Sequence, residues 1–244
     1  MHTTSSNDSL KRAGIDADDL KIITKLYWHK TATVRSERIT SEDIMIRKGV
    51  RQGCILSPII FNLYTEDIFR EALEGADIGI KMNGTIINNL RYADDIIQIA
   101  SRLTVLQEML DRIVSYSERR GLTINIAKKK LMVFSKRQHQ HKLQIKSCVI
   151  EQVSSFRYLG ALVNCNCNSA MEVRSRIAQS RAAFTKMVKI FKDRNLGLEL
   201  RLRLLRCYVF PILLYGCEGW TLNSTLEKKI DAFEMNSYRR ILGV

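Results

Sequence analysis

Asp94 and Asp95 stand side by side in Tyr92-Ala93-Asp94-Asp95, between two short apolar runs. Ile86, Ile87 and Leu90 precede the pair; Ile96, Ile97 and Ile99 follow it. β-Branched flanks around turn-forming aspartates read as two strands with both carboxylates at the tip of the connection. Neighbouring strand residues point to opposite faces, but a turn can bring two neighbours to bear on one site. The chemistry such a pair suits is binding of hard divalent cations. Two ions about 3.5–4 Å apart can activate an attacking hydroxyl and stabilise a leaving phosphate oxygen. An ordinary surface turn uses the same residues, so the pair has to be judged with the elements around it.

Those elements begin with a polar segment, 1–10, expected to be frayed. Residues 16–28 predict a helix with Leu20, Ile23 and Tyr27 as its apolar stripe; Asp16, Asp18 and Asp19 sit in its first turn, where capping explains them better than catalysis. Residues 33–38 and 43–47 suggest a hairpin. A loop with two glycines spans 49–56, and Ser57-Pro58 reads as the N-cap and first turn of a helix reaching Leu73. Phe61, Tyr64, Ile68 and Ala72 form the inward side of that helix. Residues 78–82 and 85–87 form a hairpin about Asn83-Gly84, the strongest two-residue turn signal. Residues 102–120 are amphipathic and stop at Gly121. Strands are expected at 123–126 and 131–135, around Lys128-Lys129-Lys130, and again at 144–150 and 156–163. The polar stretch 164–169 reads as a boundary. Beyond it the pattern is helical: Val173, Ile177, Phe184, Val188 and Phe191 share one face, with Arg174, Arg181 and Lys189 off it. A second helix spans 198–210 and is stopped by Pro211, and a third spans 226–242.

The formal charge of +14 on 244 residues points to a polyanionic partner, nucleic acid being the usual one. The excess is concentrated: 101–150 holds eleven Lys and Arg against three Asp and Glu, and 171–210 holds ten against three. Only 2 Pro and 12 Gly interrupt a chain that is 45% apolar, which excludes a disordered polypeptide. The six cysteines follow no secretory leader, so free thiols in a reducing compartment are expected. Cys165-x-Cys167 is too tight for the common zinc spacing and has no second Cys pair at the right distance, and His139-x-His141 lies in a polar loop, so no zinc site is expected. No apolar run is long enough to span a membrane.

Four blocks occur in a fixed order. The first is Gly49-Val50-Arg51-Gln52-Gly53-Cys54-Ile55-Leu56-Ser57-Pro58, continuing to Tyr64. The second is Tyr92-Ala93-Asp94-Asp95, the third Gly121-Leu122-Thr123-Ile124-Asn125 with Lys128, and the fourth Phe156-Arg157-Tyr158-Leu159-Gly160. In this order and spacing they resemble the reverse-transcriptase palm of non-LTR (LINE-type) retrotransposons, from about residue 13 to the end. The Arg-Gln-Gly-Cys-x-Leu-Ser-Pro form resembles that branch; group II intron maturases usually carry Pro-Gln-Gly there.

The resemblance implies an α+β right-hand polymerase, with a partial palm of antiparallel strands and helices over 1–163 and a helical thumb over 164–244. It implies that Asp94 and Asp95 are the catalytic pair and hold two Mg²⁺, and that Lys128 lies near the incoming triphosphate as an acid for pyrophosphate. Arg51, Gln52, Gly53, Ser57, Tyr92, Gly121 and Asn125 match the elements that contact template and nucleotide. Phe156, Tyr158, Leu159 and Gly160 match the primer-grip hairpin. The implied partners are an RNA template, a DNA primer and dNTPs, with no membrane; the implied setting is intracellular, nuclear or cytoplasmic. The family's palm also has an earlier strand with another metal-ligating Asp, preceded by fingers, and often an endonuclease domain. No such strand is visible here: Asp8, Asp16, Asp18 and Asp19 stand in polar or helical context. The chain alone is therefore expected to be inactive or nearly so, and a catalytically dead, retrotransposon-derived nucleic-acid-binding module is the alternative.

Overall fold

A computed structural model describes residues 9–27, 30–37, 39–46, 49–73, 78–135 and 139–244. They form two compact units, 1–129 with 141–150 and 130–140 with 151–244. Residues 1–8 of the expected frayed start, and Trp28, Arg38 and Arg47 at the ends of expected elements, lie outside the described residues. The rest of that start is not frayed. Leu10 is buried, and Arg12 pairs with Asp67 and Glu71 at 3.4 and 3.2 Å.

In the first unit, helix α1 (Ala17–Tyr27) begins as its acids predict. Asp16 Oδ1 accepts the N–H groups of Asp18 and Asp19 at 3.0 and 2.8 Å, satisfying donors that the first turn leaves free. The expected hairpin after it is nested. β1 (Lys30–Ala32) pairs with β4 (Ile44–Ile46), and inside them β2 (Arg35–Ser36) pairs with β3 (Ile39–Thr40).

Helix α2 (Leu56–Leu73) starts one residue earlier than Ser57. Ser57 is therefore not a cap but a buried residue inside the first turn. β5 (Ile80–Met82) and β6 (Thr85–Ile87) close around Asn83 and Gly84, both with positive φ, as this turn type requires. Ile86 and Ile87 belong to that hairpin, not to the aspartate hairpin as their apolar character suggested. The latter is β7 (Asn89–Tyr92) and β8 (Asp95–Gln98).

Helix α3 (Leu103–Arg119) packs its apolar stripe on α2. Met109 and Ile113 meet Phe69, Ala72 and Leu73, and Ile96 and Ala100 pack against the cluster. Tyr64, buried in α2, donates its hydroxyl to the Arg120 carbonyl.

Past α3, 123–126 is not a strand. Ile126–Lys128 is a 3-10 turn closed by the Lys129 N–H on the Ile126 carbonyl at 3.0 Å; four alternating residues make too short a run to fix a strand against a competing local turn. The next strand, β9 (Lys130–Leu131), is shorter than 131–135 suggested. β10 (Leu143–Ile145) and β11 (Cys148–Gln152) are a hairpin, not one strand over 144–150. The chain reverses at Lys146, whose φ is 55°. A Lys-Ser turn carries no Gly or Asn to announce it.

In the second unit the end of β11 runs parallel to β9, Glu151 opposite Lys130, and the two side chains form an ion pair. β12 (Ser155–Tyr158) and β13 (Ala161–Asn164) form a tight hairpin. Helices α4 (Ala170–Lys186), α5 (Val188–Lys192), α6 (Leu198–Leu204), α7 (Phe210–Leu213) and α8 (Ser224–Leu242) follow. Their core holds Phe184, Phe191, Leu205, Val209, Leu213, Phe233 and Ile241, with Phe184 and Phe191 stacked at 4.7 Å. Pro211 does not stop the helix that precedes it. Leu205–Val209 widens into a π-helix in which the Phe210 N–H reaches the Leu205 carbonyl. Proline has no N–H for the normal ladder and its ring crowds the preceding turn; one wider turn lets the helical path pass it.

Candidate active site

β7 and β8 are joined by Ala93-Asp94, with Tyr92 opposite Asp95. Ala93 has a φ of 53°, a left-handed conformation that costs a residue with a Cβ about 1–2 kcal/mol. The pleat sorts the side chains. Arg91 and Ile96 lie opposite each other, and Ile96 packs on the α2–α3 core. Tyr92, Asp95, Leu90 and Ile97 therefore share the other face, where Tyr92 is 66% exposed. Asp94 and Asp95 are both exposed, and among the described residues neither carboxylate has a side-chain partner.

Arg91 anchors this hairpin, a role outside the residues expected from the motifs. Its guanidinium lies 2.6 Å from Glu66 Oε2 and 4.8 Å from the centre of the Phe69 ring, both on α2. The signal was available: alternation puts residue 91 on the core face, where an arginine needs a partner. Arg91→Met should loosen the hairpin without unfolding the unit. A half-exposed ion pair and a cation–π contact together contribute about 1–1.5 kcal/mol. Amide exchange across Asn89–Gln98 should thus rise roughly tenfold, and unchanged protection would refute the anchoring role.

The loop before α2 presents Arg51, Gln52 and Gly53 to solvent. Gly53 has a φ of 83° with open space around it, so glycine is required there by backbone conformation and not by a close neighbour. Tyr27 of α1 holds the loop: its hydroxyl is 2.8 Å from Cys54 Sγ and 3.1 Å from Ser57 Oγ. Lys30 lies 4.0 Å over the Tyr27 ring. Burial, followed by repulsion from Arg51, lowers the Lys30 ammonium. The Tyr27 hydroxyl, and then the Leu56 N–H, lower the Cys54 thiol to about 7.

Cys54 should consequently alkylate with a rate that rises as pH passes about 7, because the thiolate is the nucleophile. Tyr27→Phe removes the main stabiliser of the thiolate and should carry the inflection upward, slowing alkylation at neutral pH. Peptide-resolved iodoacetamide kinetics would read this, with Cys207 as the exposed comparison.

Gly121 closes α3 with a φ of 71°, Asn125 precedes the 3-10 turn, and Lys128 ends it, exposed. The Arg120 guanidinium meets Glu71 of α2 at 2.6 Å. The aspartate hairpin, the Gln52-Gly53 loop and the segment from Gly121 to Lys128 are thus all attached to the α2–α3 pair. The remaining site residues belong to the second unit. Phe156 and Tyr158 lie half-buried on β12, and Leu159 and Gly160 form the tip of its hairpin.

The second unit also carries a groove of about 670 Å³ between α4 and α8. Arg174, Arg181, Lys229 and Arg240 line it with no acid among them, over a floor that includes Ile177 and Phe233. Charge counting located the basic segment, but the pairing of its arginines with Lys229 and Arg240 required the helix packing.

Two carboxylates offer hard oxygen ligands of the kind divalent cations such as Mg²⁺ prefer, so Asp94 and Asp95 fit a metal in chemical type. Among the described residues no third His, Cys, Asp or Glu completes a cluster with them. No described helix is long and apolar enough to cross a membrane.

Residues 8–163 match the family described as reverse transcriptase (RNA-dependent DNA polymerase). The chain is 30% identical to an uncharacterised transposon-derived protein of Caenorhabditis elegans, over 68% of this chain and 60% of that protein. It is 24% identical to the Pol polyprotein of the retrotransposable element R2 of Popillia japonica, over 96% of this chain and 33% of the polyprotein. It is 23% identical to the RNA-directed DNA polymerase of the mobile element jockey of Drosophila funebris, over 91% of this chain and 25% of that protein. The chain thus spans between a quarter and three-fifths of these relatives. Taken with the four ordered motifs, these matches show that the chain belongs to the reverse-transcriptase family, on the branch carried by non-LTR retrotransposons.

Proposed function

We propose that this chain supplies palm (1–163) and thumb (164–244) elements for RNA-templated DNA synthesis. The observation that carries the reading is the aspartate pair, exposed and, among the described residues, without side-chain partners at a hairpin tip that Arg91 fixes to α2. Asp94 and Asp95 are the groups that would hold two Mg²⁺, which when bound activate the primer hydroxyl and neutralise charge on the departing pyrophosphate. The chain's own residues do the rest by position and charge. Arg51, Gln52 and Gly53 present the loop toward template and nascent pair, with Ser57 and Tyr27 behind it. Tyr92 shares the open face with Asp95, beside the incoming nucleotide. Gly121 and Asn125 set the path to Lys128, which delivers a proton to the leaving pyrophosphate. Phe156, Tyr158, Leu159 and Gly160 place the primer end. The cationic groove tracks a sugar–phosphate backbone without reading sequence. The setting is intracellular, where such templates and dNTPs are found.

On this reading the chain alone extends primers poorly. Two carboxylates hold a metal pair less well than three, and each lost charged ligand weakens stabilisation of the transition state. The absence of a third acidic ligand among the described residues also favours a second reading, a nucleic-acid-binding module without catalysis. Primer extension on an RNA template with Mg²⁺ and dNTPs, beside an Asp94→Asn, Asp95→Asn control, separates them. Extension lost in the control supports the polymerase. Salt-sensitive binding with no extension supports the module, and neither activity would overturn both.

A further inference from the structure

Tyr158 and Ala161 pair across a two-residue turn in which Leu159 and Gly160 have φ of 46° and 82°. A leucine in the left-handed region is strained and needs outside support, and three side chains from the helical part of the same unit provide it. The Tyr215 hydroxyl donates to the Leu159 carbonyl at 2.6 Å. Arg176 Nη2 donates to the Gly160 carbonyl at 2.5 Å, joined there by Arg157 at 3.2 Å. Arg176 is itself buried and fixed by Glu172, 2.5 Å from its Nε. The other oxygen of Glu172 accepts the Leu162 N–H on the returning strand at 2.9 Å. The Arg176 guanidinium lies 4.5 Å over the Tyr215 ring, and a Cβ on Gly160 would stand 3.2 Å from that ring.

Both carbonyls of the turn are thus held from outside, and one strand is held by the same buried ion pair. A buried Arg–Glu pair is a costly way to add stability, but it fixes direction well, because a guanidinium donates along set lines. We propose that Tyr215, Arg176 and Glu172 are positioning residues that set the shape of the Leu159-Gly160 turn and, through it, the place of the primer 3′ end. The second half rests on the primer-grip reading of this hairpin given above.

Tyr215→Phe in the 244-residue chain is the test, since it removes one hydrogen bond and leaves the ring. Amide exchange over 156–163 should rise about fivefold, the worth of one hydrogen bond. Affinity for an RNA–DNA primer–template with a recessed 3′ end should fall by a similar factor, while affinity for a blunt duplex of equal length stays the same and the melting midpoint falls by no more than the roughly 2–4 °C that one hydrogen bond is worth. Weakening of the fold in general would lower both affinities together. Arg176→Lys keeps the charge but not the forked geometry and should move the same two readouts further. Unchanged exchange in Tyr215→Phe would overturn the positioning role. Raised exchange with unchanged end preference would overturn its link to the primer. A wild-type chain that binds duplex without preferring recessed ends would refute the primer-grip reading itself, and the link with it, whatever the exchange shows.

Discussion

Asp94→Asn, Asp95→Asn is expected to abolish Mn²⁺-induced broadening of amide resonances around Tyr92–Ile96 and to reduce any primer extension by the chain about a thousandfold. Asparagine keeps the shape of each side chain and removes only its charge, so the turn at Ala93 should be unaffected. Both carboxylates are exposed, and Asp95 lies on the face of the hairpin away from the α2–α3 core, so their replacement opens no cavity and breaks no ion pair among the described residues. Removing the charged ligands of a phosphoryl-transfer site costs several kcal/mol, and about 4 kcal/mol corresponds to that rate factor. Either single substitution should already weaken the Mn²⁺ effect. Broadening that persists at the hairpin in the double variant would show that the pair is a surface turn and not a metal site.

Replacing Arg174, Arg181, Lys229 and Arg240 together by glutamine is expected to lower affinity for an RNA–DNA primer–template by two to three orders of magnitude at about 0.1 M salt. Each phosphate contact contributes roughly 0.7–0.9 to the slope of log K against log salt. Four lost contacts should therefore flatten that slope by about 3. Arg174, Arg181, Lys229 and Arg240 are exposed and line one groove with no acid in its lining; their replacement relieves mutual repulsion but also removes the Arg240 guanidinium from over the Phe184 ring, 5.8 Å away, so the melting midpoint should stay within about 3 °C of the parent. Lys186→Gln with Lys189→Gln, at exposed positions outside the groove lining, should change the slope far less. Equal effects from both sets would mean that binding responds to net charge alone.

Much of the local structure was legible because short-range rules decide it. Asn83-Gly84 announced its turn, Asp16 its cap and Gly121 the end of α3. The structure departs from the local pattern where that pattern is weak or where packing outweighs it. Lys146-Ser147 turned a predicted strand into a hairpin with no glycine to mark it. Pro211 promised a stop, yet Leu205, Val209 and Leu213 are all buried in one core, and burying them along one helical path offset the lost hydrogen bond. Ser57 looked like a cap but is buried against the Tyr27 hydroxyl.

Residue order is enough to identify the family, the succession of its motifs and the hairpin that carries Asp94 and Asp95. Residue type and spacing are enough for these, because turns, caps and alternation depend on neighbours in the chain. What holds those motifs in place emerges only from packing. Arg91 on Glu66 and Phe69, Tyr27 on Cys54 and Ser57, and Arg176 and Tyr215 on the Leu159-Gly160 turn join residues 16 to 56 positions apart. Contacts at such separations follow from how helices and hairpins pack, and no spacing rule in the chain encodes them.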